Sequence, residues 1–191
     1  MRKMILTLTI VALVSGTALA MIYSALLPRI EHNQQVALER SLSALFEGES
    51  PNFETLDTGE GPTVYRATAN GEHIGYAVRV TTTGYGGDIK LLVGLKPNVR
   101  TITGIEVVEH VETPGLGGKI DGAPFKEQFE GLTPQSDISY VKGGPAQSEE
   151  NEIQAISGAT ISTEAVVEGI NKTMEKALPL LSDRAGKESE E

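Results

Sequence analysis

An uncharged, apolar run from Met4 to Leu27 limits what the first part of this chain can fold into. Arg2 and Lys3 precede this run, and Pro28 and Arg29 close it. As a helix the run is about 35 Å long at 1.5 Å per residue, which exceeds the roughly 30 Å of a bilayer's hydrocarbon core. The positive charge in front of the run predicts a cytoplasmic N-terminus, with the remainder of the chain on the outer side of the membrane.

A cleaved signal peptide is the competing interpretation of this segment. Ala18-Leu19-Ala20 is an acceptable small-x-small cleavage site. The apolar stretch nevertheless continues through Met21 and Ile22 to Leu27, which favours a retained anchor. Under both interpretations the domain that follows is exported.

Composition excludes several classes of function. The 191 residues suit one medium domain plus an appendage. The absence of cysteine excludes disulfides, thiolate zinc sites, cysteine-ligated iron–sulfur clusters and covalent c-type haem. A net charge of −10 argues against nucleic acid as a partner, since phosphate binding needs a basic surface. His110 and Glu112 have a spacing that suits a metal on a strand, but no third ligand is visible and we predict no metal site.

Periodicity and turn signals predict an α+β domain, with a largely antiparallel sheet flanked by helices behind the membrane anchor. Asn70-Gly71 is a strong hairpin signal between two strand patterns. The predicted helices cover 31–47, 125–129 and 161–178. The predicted strands cover 63–68, 73–80, 89–95, 99–108, 138–141 and 153–156, and 48–62 is predicted to be a connecting loop.

These patterns divide the chain into four parts. Residues 1–29 are the cytoplasmic start and transmembrane anchor, and residues 30–62 are an amphipathic helix and linker. Residues 63–182 form one domain. Residues 183–191 are an acidic tail, which we predict to be disordered.

The tetrapeptide Ser157-Gly158-Ala159-Thr160 lies between the last predicted strand and the last predicted helix. Gly and Ala remove side-chain bulk, so that a ligand can approach the backbone closely. The unpaired N–H groups and the macrodipole at a helix start favour an anion. A phosphate therefore fits beside Thr160, where esterification to the hydroxyl is also feasible. An ordinary N-cap is the simpler alternative, because Ser and Thr are preferred there.

Two glycine-rich loops also stand out, Gly84-Tyr85-Gly86-Gly87 and residues 109–118. Their glycines are also compatible with simple turns that need positive φ. In the second loop, a Pro-Gly pair followed by Leu-Gly exposes backbone donors and acceptors beside one apolar side chain. That combination suits the edge and face of a planar heteroaromatic ring.

Taken together, the chain resembles the FMN-binding subunits of membrane redox complexes, namely the G subunit of the Rnf electron-transport complex and the related C subunit of the sodium-translocating NADH:quinone reductase. The shared features run in order along the chain. They are the basic-flanked anchor, Gly84-Tyr85-Gly86-Gly87-Asp88-Ile89 with Leu91-Leu92-Val93-Gly94, the stretch Glu109 to Gly117 with Lys119-Ile120, and Ser157 to Thr160 with Ile161-Ser162-Thr163. The Glu-Thr-Pro-Gly-Leu-Gly stretch from Glu112 to Gly117 resembles the Rnf branch.

The resemblance implies a covalent cofactor. Thr160 would carry FMN through a phosphodiester to its ribityl phosphate, and a separate flavin transferase would install the group from FAD. Ser157, Gly158 and Ala159 would shape the phosphate turn. The residues expected against the isoalloxazine or ribityl chain are Glu112, Thr113, Pro114, Gly115, Leu116 and Gly117, of which Thr113 and Leu116 are the main direct contacts. Tyr85 would stack or hydrogen-bond at the flavin, with a tyrosine at the edge of the core as the alternative.

The resemblance also implies an electron-transfer subunit of an ion-translocating oxidoreductase complex in a bacterial inner membrane, with no catalytic residues of its own. Its partners would be the other subunits of the complex, the flavin transferase and membrane lipid. At Gln154 the chain departs from the family, which often has Asp there; if that carboxylate assists the transferase, attachment is slower here.

Other functions stay open. They are an FMN domain of another respiratory reductase system, an exported interaction module without redox chemistry, and a hydrolase. The hydrolase would use Ser157 or Thr160 as its nucleophile, and it is disfavoured because the motif contains no base.

Overall fold

Helix α1 spans Arg2–Ala44 in the computed structural model of this chain, which describes residues 2–46, 51–59 and 61–188. Among these residues it is the one helix long and apolar enough to cross a membrane, judged by length and composition. The helix continues through Pro28, at which the apolar run was expected to close. Proline in a helix interior removes one hydrogen bond, and helix-forming residues on both sides, such as Leu27 and Glu31, allow α1 to continue. The chain divides after Glu39 into two compact units.

The second unit contains a five-stranded antiparallel sheet in which each strand pairs with the next along the chain, in the order β1-β2-β3-β4-β5. The strands are β1 (Asn52–Leu56), β2 (Val64–Ala69), β3 (Glu72–Thr83), β4 (Asp88–Leu95) and β5 (Ile102–His110). This order confirms the predicted α+β fold with a mainly antiparallel sheet.

Two tight turns connect the three central strands. Between β2 and β3, Asn70 and Gly71 have φ values of 53° and 84°, which is the left-handed pair that a type I′ turn requires. The predicted hairpin is therefore confirmed. Between β3 and β4 the Gly84 N–H donates to the Gly87 carbonyl at 2.7 Å, which closes the first glycine-rich loop as a compact turn.

Strand β1 corrects the prediction of a loop over residues 48–62. Its register with β2 runs from Asn52 opposite Thr68 to Leu56 opposite Val64. Phe53 and Leu56 are only half-buried, so the strand lacks the apolar alternation that would have marked it. Pairing with β2 defines β1, and the sheet therefore begins before residue 63, the predicted start of the domain.

A second correction concerns the strand predicted over residues 99–108. Val99 lies in a left-handed turn with φ 58°, and β5 begins at Ile102 and continues to His110. The Val99 side chain is buried, so its apolar character reflects a turn packed into the core rather than a strand.

The helical layer follows the sheet in sequence. A 3-10 turn at Gly117–Asp121 leads into the short helix α2 (Ala123–Lys126), with a further 3-10 turn at Glu127–Phe129, as predicted for 125–129. Strands β6 (Ser139–Val141) and β7 (Glu152–Gln154) form a separate parallel pair.

Helix α3 spans Thr160–Glu188, beyond the predicted end at residue 178 and into the predicted tail, of which residues 189–191 lie outside the described part. The apolar face of α3 and the sheet enclose one core, which contains Tyr76, Leu91, Phe129, Ile170 and Met174.

Candidate functional site

Glu112 is the side chain on which three separate segments converge. It is only 5% exposed. Its Oε1 accepts the backbone N–H of Gly86 at 2.9 Å, and its Oε2 accepts the Ser162 hydroxyl at 2.7 Å. One carboxylate therefore ties the β3–β4 turn, the loop after β5 and the first turn of α3 together. The Glu112 N–H donates to His110 Nδ1 at 3.1 Å, which fixes the start of that loop.

Three glycines leave the space that Glu112 and its loop occupy. A Cβ atom at Gly84 or at Gly117 would collide with the Glu112 carboxyl group. A Cβ atom at Gly86 would lie 2.5 Å from the Val111 carbonyl oxygen. These glycines therefore permit close packing of the two loops, a role that the sequence left undecided between turns and ligand approach.

The tetrapeptide forms the turn that leads into α3. The Ala159 N–H donates to the Ile156 carbonyl at 3.0 Å, and α3 begins at Thr160. Gly158 has φ 80°, a left-handed conformation that favours glycine. The hydroxyl of Thr160 is thus at the start of a helix, as the sequence predicts.

Four hydroxyl groups lie in or beside this turn, and two of them already make hydrogen bonds within the protein. Thr163 Oγ1 accepts the Ile156 N–H at 3.1 Å and donates to the Ala159 carbonyl at 3.2 Å, while Ser162 donates to Glu112. Within the described part of the chain, the hydroxyls of Ser157 and Thr160 make no hydrogen bond. Ser157 is exposed and Thr160 is half-buried, so these two hydroxyls are the ones available for chemistry.

The first turn of α3 also offers backbone donors. Its first intrahelical bond runs from the Thr163 N–H to the Ala159 carbonyl at 3.1 Å. The N–H groups of the preceding residues of the turn have no acceptor within the helix, which is the general condition for anion binding at a helix start. An anion beside Thr160 would meet these donors and the positive end of the helix dipole.

A group of exposed apolar side chains, which we term the apolar collar, lies on the three segments that Glu112 joins. Large apolar side chains that are well exposed are few in the described part of the second unit, and most belong to this collar. Its members and their exposed fractions are Tyr85 (73%), Val111 (63%), Ile161 (54%) and Leu116 (49%). Leu116 reaches the tetrapeptide, since its Cδ2 lies 3.6 Å from the position of a Cβ at Gly158.

The structure brings the predicted residues of the three motifs together. Thr113, Pro114 and Gly115 lie on the exposed surface of the loop after β5, and the Thr113 carbonyl accepts the N–H groups of Leu116 at 3.1 Å and Gly118 at 3.0 Å. Glu112 lies under that surface with both carboxyl oxygens bonded to protein. Gly117 is buried beside it.

Some outcomes differ from the expectations. Tyr85 is too exposed to be a tyrosine at the edge of the core, so that alternative is wrong. The exposure of Val111 and Ile161 was not predicted, because single apolar residues next to a strand and a helix look like core. The hydrogen bonds that the Ser162 and Thr163 side chains make to Glu112 and to the turn were not predicted. Gln154 is exposed, with its backbone N–H bonded to Gln128 Oε1 at 2.6 Å.

Comparison with known proteins defines the class. The fold is similar to crystal structures of the C subunit of the Na⁺-translocating NADH-quinone reductase from Parabacteroides distasonis (TM-score 0.57, 24% identity, 63% of each chain) and of Shewanella oneidensis NqrC (TM-score 0.55, 23% identity, 62% of this chain and 61% of that chain). The FMN-binding domain family matches residues 84–175, which include both glycine-rich loops and the tetrapeptide. Residues 84–175 thus match an FMN-binding domain, in a chain that begins with a long apolar helix.

Relatives that match over most of the chain define its family more closely. The G subunit of the ion-translocating oxidoreductase complex from Methanosarcina acetivorans is 32% identical over 180 residues, which cover 91% of this chain and 92% of that protein. The G subunit of the proton-translocating ferredoxin:NAD⁺ oxidoreductase complex from Clostridium ljungdahlii is 30% identical, over 88% of this chain and 87% of that protein. The chain belongs to the family of G subunits of ion-translocating oxidoreductase complexes, which confirms the resemblance drawn from its motifs.

Proposed function

We propose that this chain is an electron-transfer subunit of a membrane-bound ion-translocating oxidoreductase complex, with FMN attached by a phosphodiester to Thr160. The relatives named above are subunits of such complexes, and the matched FMN-binding domain contains the whole site. The single observation that carries the attachment is the Thr160 hydroxyl. It is free of hydrogen bonds within the described residues and opens the first turn of α3.

The residues of the candidate site fit FMN in three respects. The unbonded N–H groups of the first turn of α3 suit the phosphate, and Gly158 and Ala159 keep the approach to the backbone open. The apolar collar suits the flat face of the isoalloxazine ring, and Leu116 is the member of the collar that reaches the tetrapeptide. Tyr85 of the collar and Thr113 of the loop after β5 are exposed, and their hydroxyls could bond polar atoms of the ring.

FMN, when bound, supplies reversible transfer of one or two electrons, and the protein orients it and tunes its potential. The chain's own residues would hold the phosphate at the first turn of α3 and would contact the ring through the apolar collar, and a neighbouring redox subunit would exchange electrons with the flavin. No acid, base or nucleophile is required for that task, in keeping with the lack of assigned catalytic residues.

Attachment is a phosphoryl transfer to Thr160. The Thr160 Oγ1–P bond forms, the hydroxyl proton leaves, and the pyrophosphate P–O bond of FAD breaks to release AMP, all on a separate flavin transferase. A tether has a physical advantage outside the cytosol. A ligand held with micromolar affinity, about −8 kcal/mol, would dissociate where no flavin pool refills the site.

The proposed location follows from α1. The apolar segment of α1 would anchor the chain among membrane lipids of a bacterial inner membrane, with the N-terminus in the cytoplasm and the FMN-binding domain on the outer side. Neighbouring subunits of the complex would provide the electron donor and acceptor.

Intact-mass measurement tests the attachment. Expressed together with a flavin transferase, the chain is expected to gain the mass of FMN less one water and to fluoresce on a denaturing gel. Thr160→Val removes one hydroxyl at similar volume and is expected to abolish both signals. Ser157→Ala is the matched control, because it removes the other free hydroxyl of the turn, and it is expected to retain both.

Three outcomes would contradict the proposal. Fluorescence that persists in Thr160→Val would place the flavin on another residue. A colourless wild-type chain of unmodified mass, made beside an active transferase, would favour an exported interaction module, while labelling of Ser157 or Thr160 by acylating reagents would favour a hydrolase.

A further inference from the structure

We propose that Glu112 is a positioning residue for flavin attachment, which holds the first turn of α3 in the geometry that presents the Thr160 hydroxyl. This inference rests on the proposed function, since it concerns how the same site is prepared. It differs from the expectation that Glu112 contacts the flavin, because both of its carboxyl oxygens are bonded to protein groups.

The bonds of Glu112 join segments that are distant in sequence. Gly86 lies 26 residues before it and Ser162 lies 50 residues after it. Ser162 is in the same helical turn as Thr160, two residues further on. A displacement of the Glu112 carboxylate would therefore move the turn that carries the proposed attachment point.

Burial of the Glu112 carboxyl group costs free energy unless hydrogen bonds replace those it makes with water. Glu112 makes no ion pair within the described residues, so its buried carboxyl oxygens depend on the hydrogen bonds from Gly86 and Ser162. Gly84 and Gly117 lack the Cβ atoms that would displace it. An apolar residue would fill the same space without that cost, and would not link the two loops to α3.

A second bond holds the turn from its other side. Thr163 connects α3 to Ile156, two residues after the end of β7, and Ser162 connects α3 to Glu112 in the loop after β5. The adjacent hydroxyls of Ser162 and Thr163 thus bond the turn to two separate segments, and the Thr160 hydroxyl stays free. Without Glu112, the buried residues Val166 and Ile170 still hold α3 on the sheet, but its first turn has one anchor only.

The test compares initial rates of flavin incorporation into the full-length chain by a flavin transferase. Glu112→Ala is expected to slow incorporation at least about ten-fold, because small errors in the placement of a reacting group have large effects on rate. Glu112→Gln is expected to stay within about three-fold of wild type, since its carbonyl can accept from Gly86 and its NH₂ can donate to the Ser162 oxygen.

Asn151→Ala is the matched control for a loss of stability alone. Asn151 is buried like Glu112, and its side chain also links separate segments, bonding Thr133, Ser136 and Asp137 rather than either glycine-rich loop. We expect it to lower the melting temperature and to leave the incorporation rate at the wild-type level. Ser162→Ala, which removes only the α3 side of the link, replaces Glu112→Ala if that variant does not fold.

Amide hydrogen exchange of the unmodified chain gives a second readout that does not depend on flavin. Glu112→Ala is expected to speed exchange at Gly86 and in the first turn of α3, and Asn151→Ala is not. Equal incorporation rates and equal exchange in the two alanine variants would overturn the proposal, and so would a glutamine variant as slow as alanine. If the wild-type chain accepts no flavin, the proposed function fails, and the exchange data alone decide whether Glu112 fixes the turn.

Discussion

At the scale of single residues, two glycines of the site are required for different physical reasons. At Gly117 the reason is space, because a Cβ atom would overlap the Glu112 carboxyl group and lie 2.5 Å from Ser162 Oγ. At Gly158 the reason is conformation, since φ is 80° and a Cβ atom would meet only Leu116 at 3.6 Å. Glycine is therefore required for free space at Gly117 and for a left-handed backbone at Gly158.

This difference predicts unequal costs for alanine substitutions. Gly158→Ala should lower the free energy of unfolding by about 1–2 kcal/mol, the usual penalty of a left-handed residue with a Cβ. Gly117→Ala should cost about 1–3 kcal/mol through overpacking and should also disrupt the bond between Glu112 and Ser162. Urea unfolding of the unmodified chain measures both, with Gly144→Ala as the control, because a Cβ there meets nothing within 4 Å.

Hydrogen exchange separates the two effects further. Gly117→Ala is expected to increase exchange at Gly86, on the far side of Glu112, whereas Gly158→Ala is not. Unchanged exchange at Gly86 in a folded Gly117→Ala variant would contradict the view that the absent Cβ makes room for the carboxylate.

At the scale of elements, strand β3 has a hairpin at one end and the candidate site at the other. Its Glu72 end carries the Asn70-Gly71 hairpin, and its Thr83 end leads into Gly84 at the site. The 12 residues of the strand correspond to roughly 40 Å at about 3.4 Å per residue. Changes at the hairpin should therefore affect folding and leave the site intact.

Gly71→Ala tests this separation. Gly71 has φ 84° and no neighbour within 4 Å of a Cβ, so the substitution introduces only backbone strain. We expect a loss of about 1–2 kcal/mol in the free energy of unfolding and an unchanged rate of flavin incorporation. A marked fall in incorporation, in a variant that is folded at the assay temperature, would show that the two ends of β3 are coupled.

Elements with strong local signals were predictable from sequence, and those defined by pairing were not. The Asn70-Gly71 turn and the start of α3 after Ser157-Gly158 have local backbone requirements that only a few residue types meet. Strand β1 lacks such a signal, because its half-buried Phe53 and Leu56 acquire a strand conformation from β2. Within the site, the sequence located the motifs, but the inward direction of Glu112 depends on Gly86 and Ser162 from distant segments.

At the scale of the whole molecule, the distribution of exposed apolar surface distinguishes the two units. In the first unit, apolar side chains of α1 from Met4 to Leu27 are exposed, as expected for a segment that meets lipid rather than protein. In the described part of the second unit, most of the exposed large apolar side chains belong to the apolar collar. The described residues therefore present two apolar regions that need a partner, and we assign lipid to one and FMN to the other.

This assignment predicts that the anchor is retained. A signal peptidase would cut after Ala20, yet the apolar stretch continues for another seven residues to Leu27, which a typical cleaved segment does not need. We expect the mature chain to keep residues 1–20, to stay with the membrane pellet after alkaline washing, and to expose its second unit to protease added outside spheroplasts. The intact mass of the membrane-extracted chain measures the first point directly.

The charge in front of the apolar run sets the expected orientation. Replacing Arg2 and Lys3 by Glu removes the positive charge at the N-terminus, so a larger fraction of chains should insert with the second unit in the cytoplasm. Because the proposed FMN attachment takes place on the outer side, those inverted chains should be protected from external protease and carry no flavin where the transferase is exported. A chain that begins at Met21 and is found in the soluble exported fraction would instead identify the segment as a cleaved signal peptide.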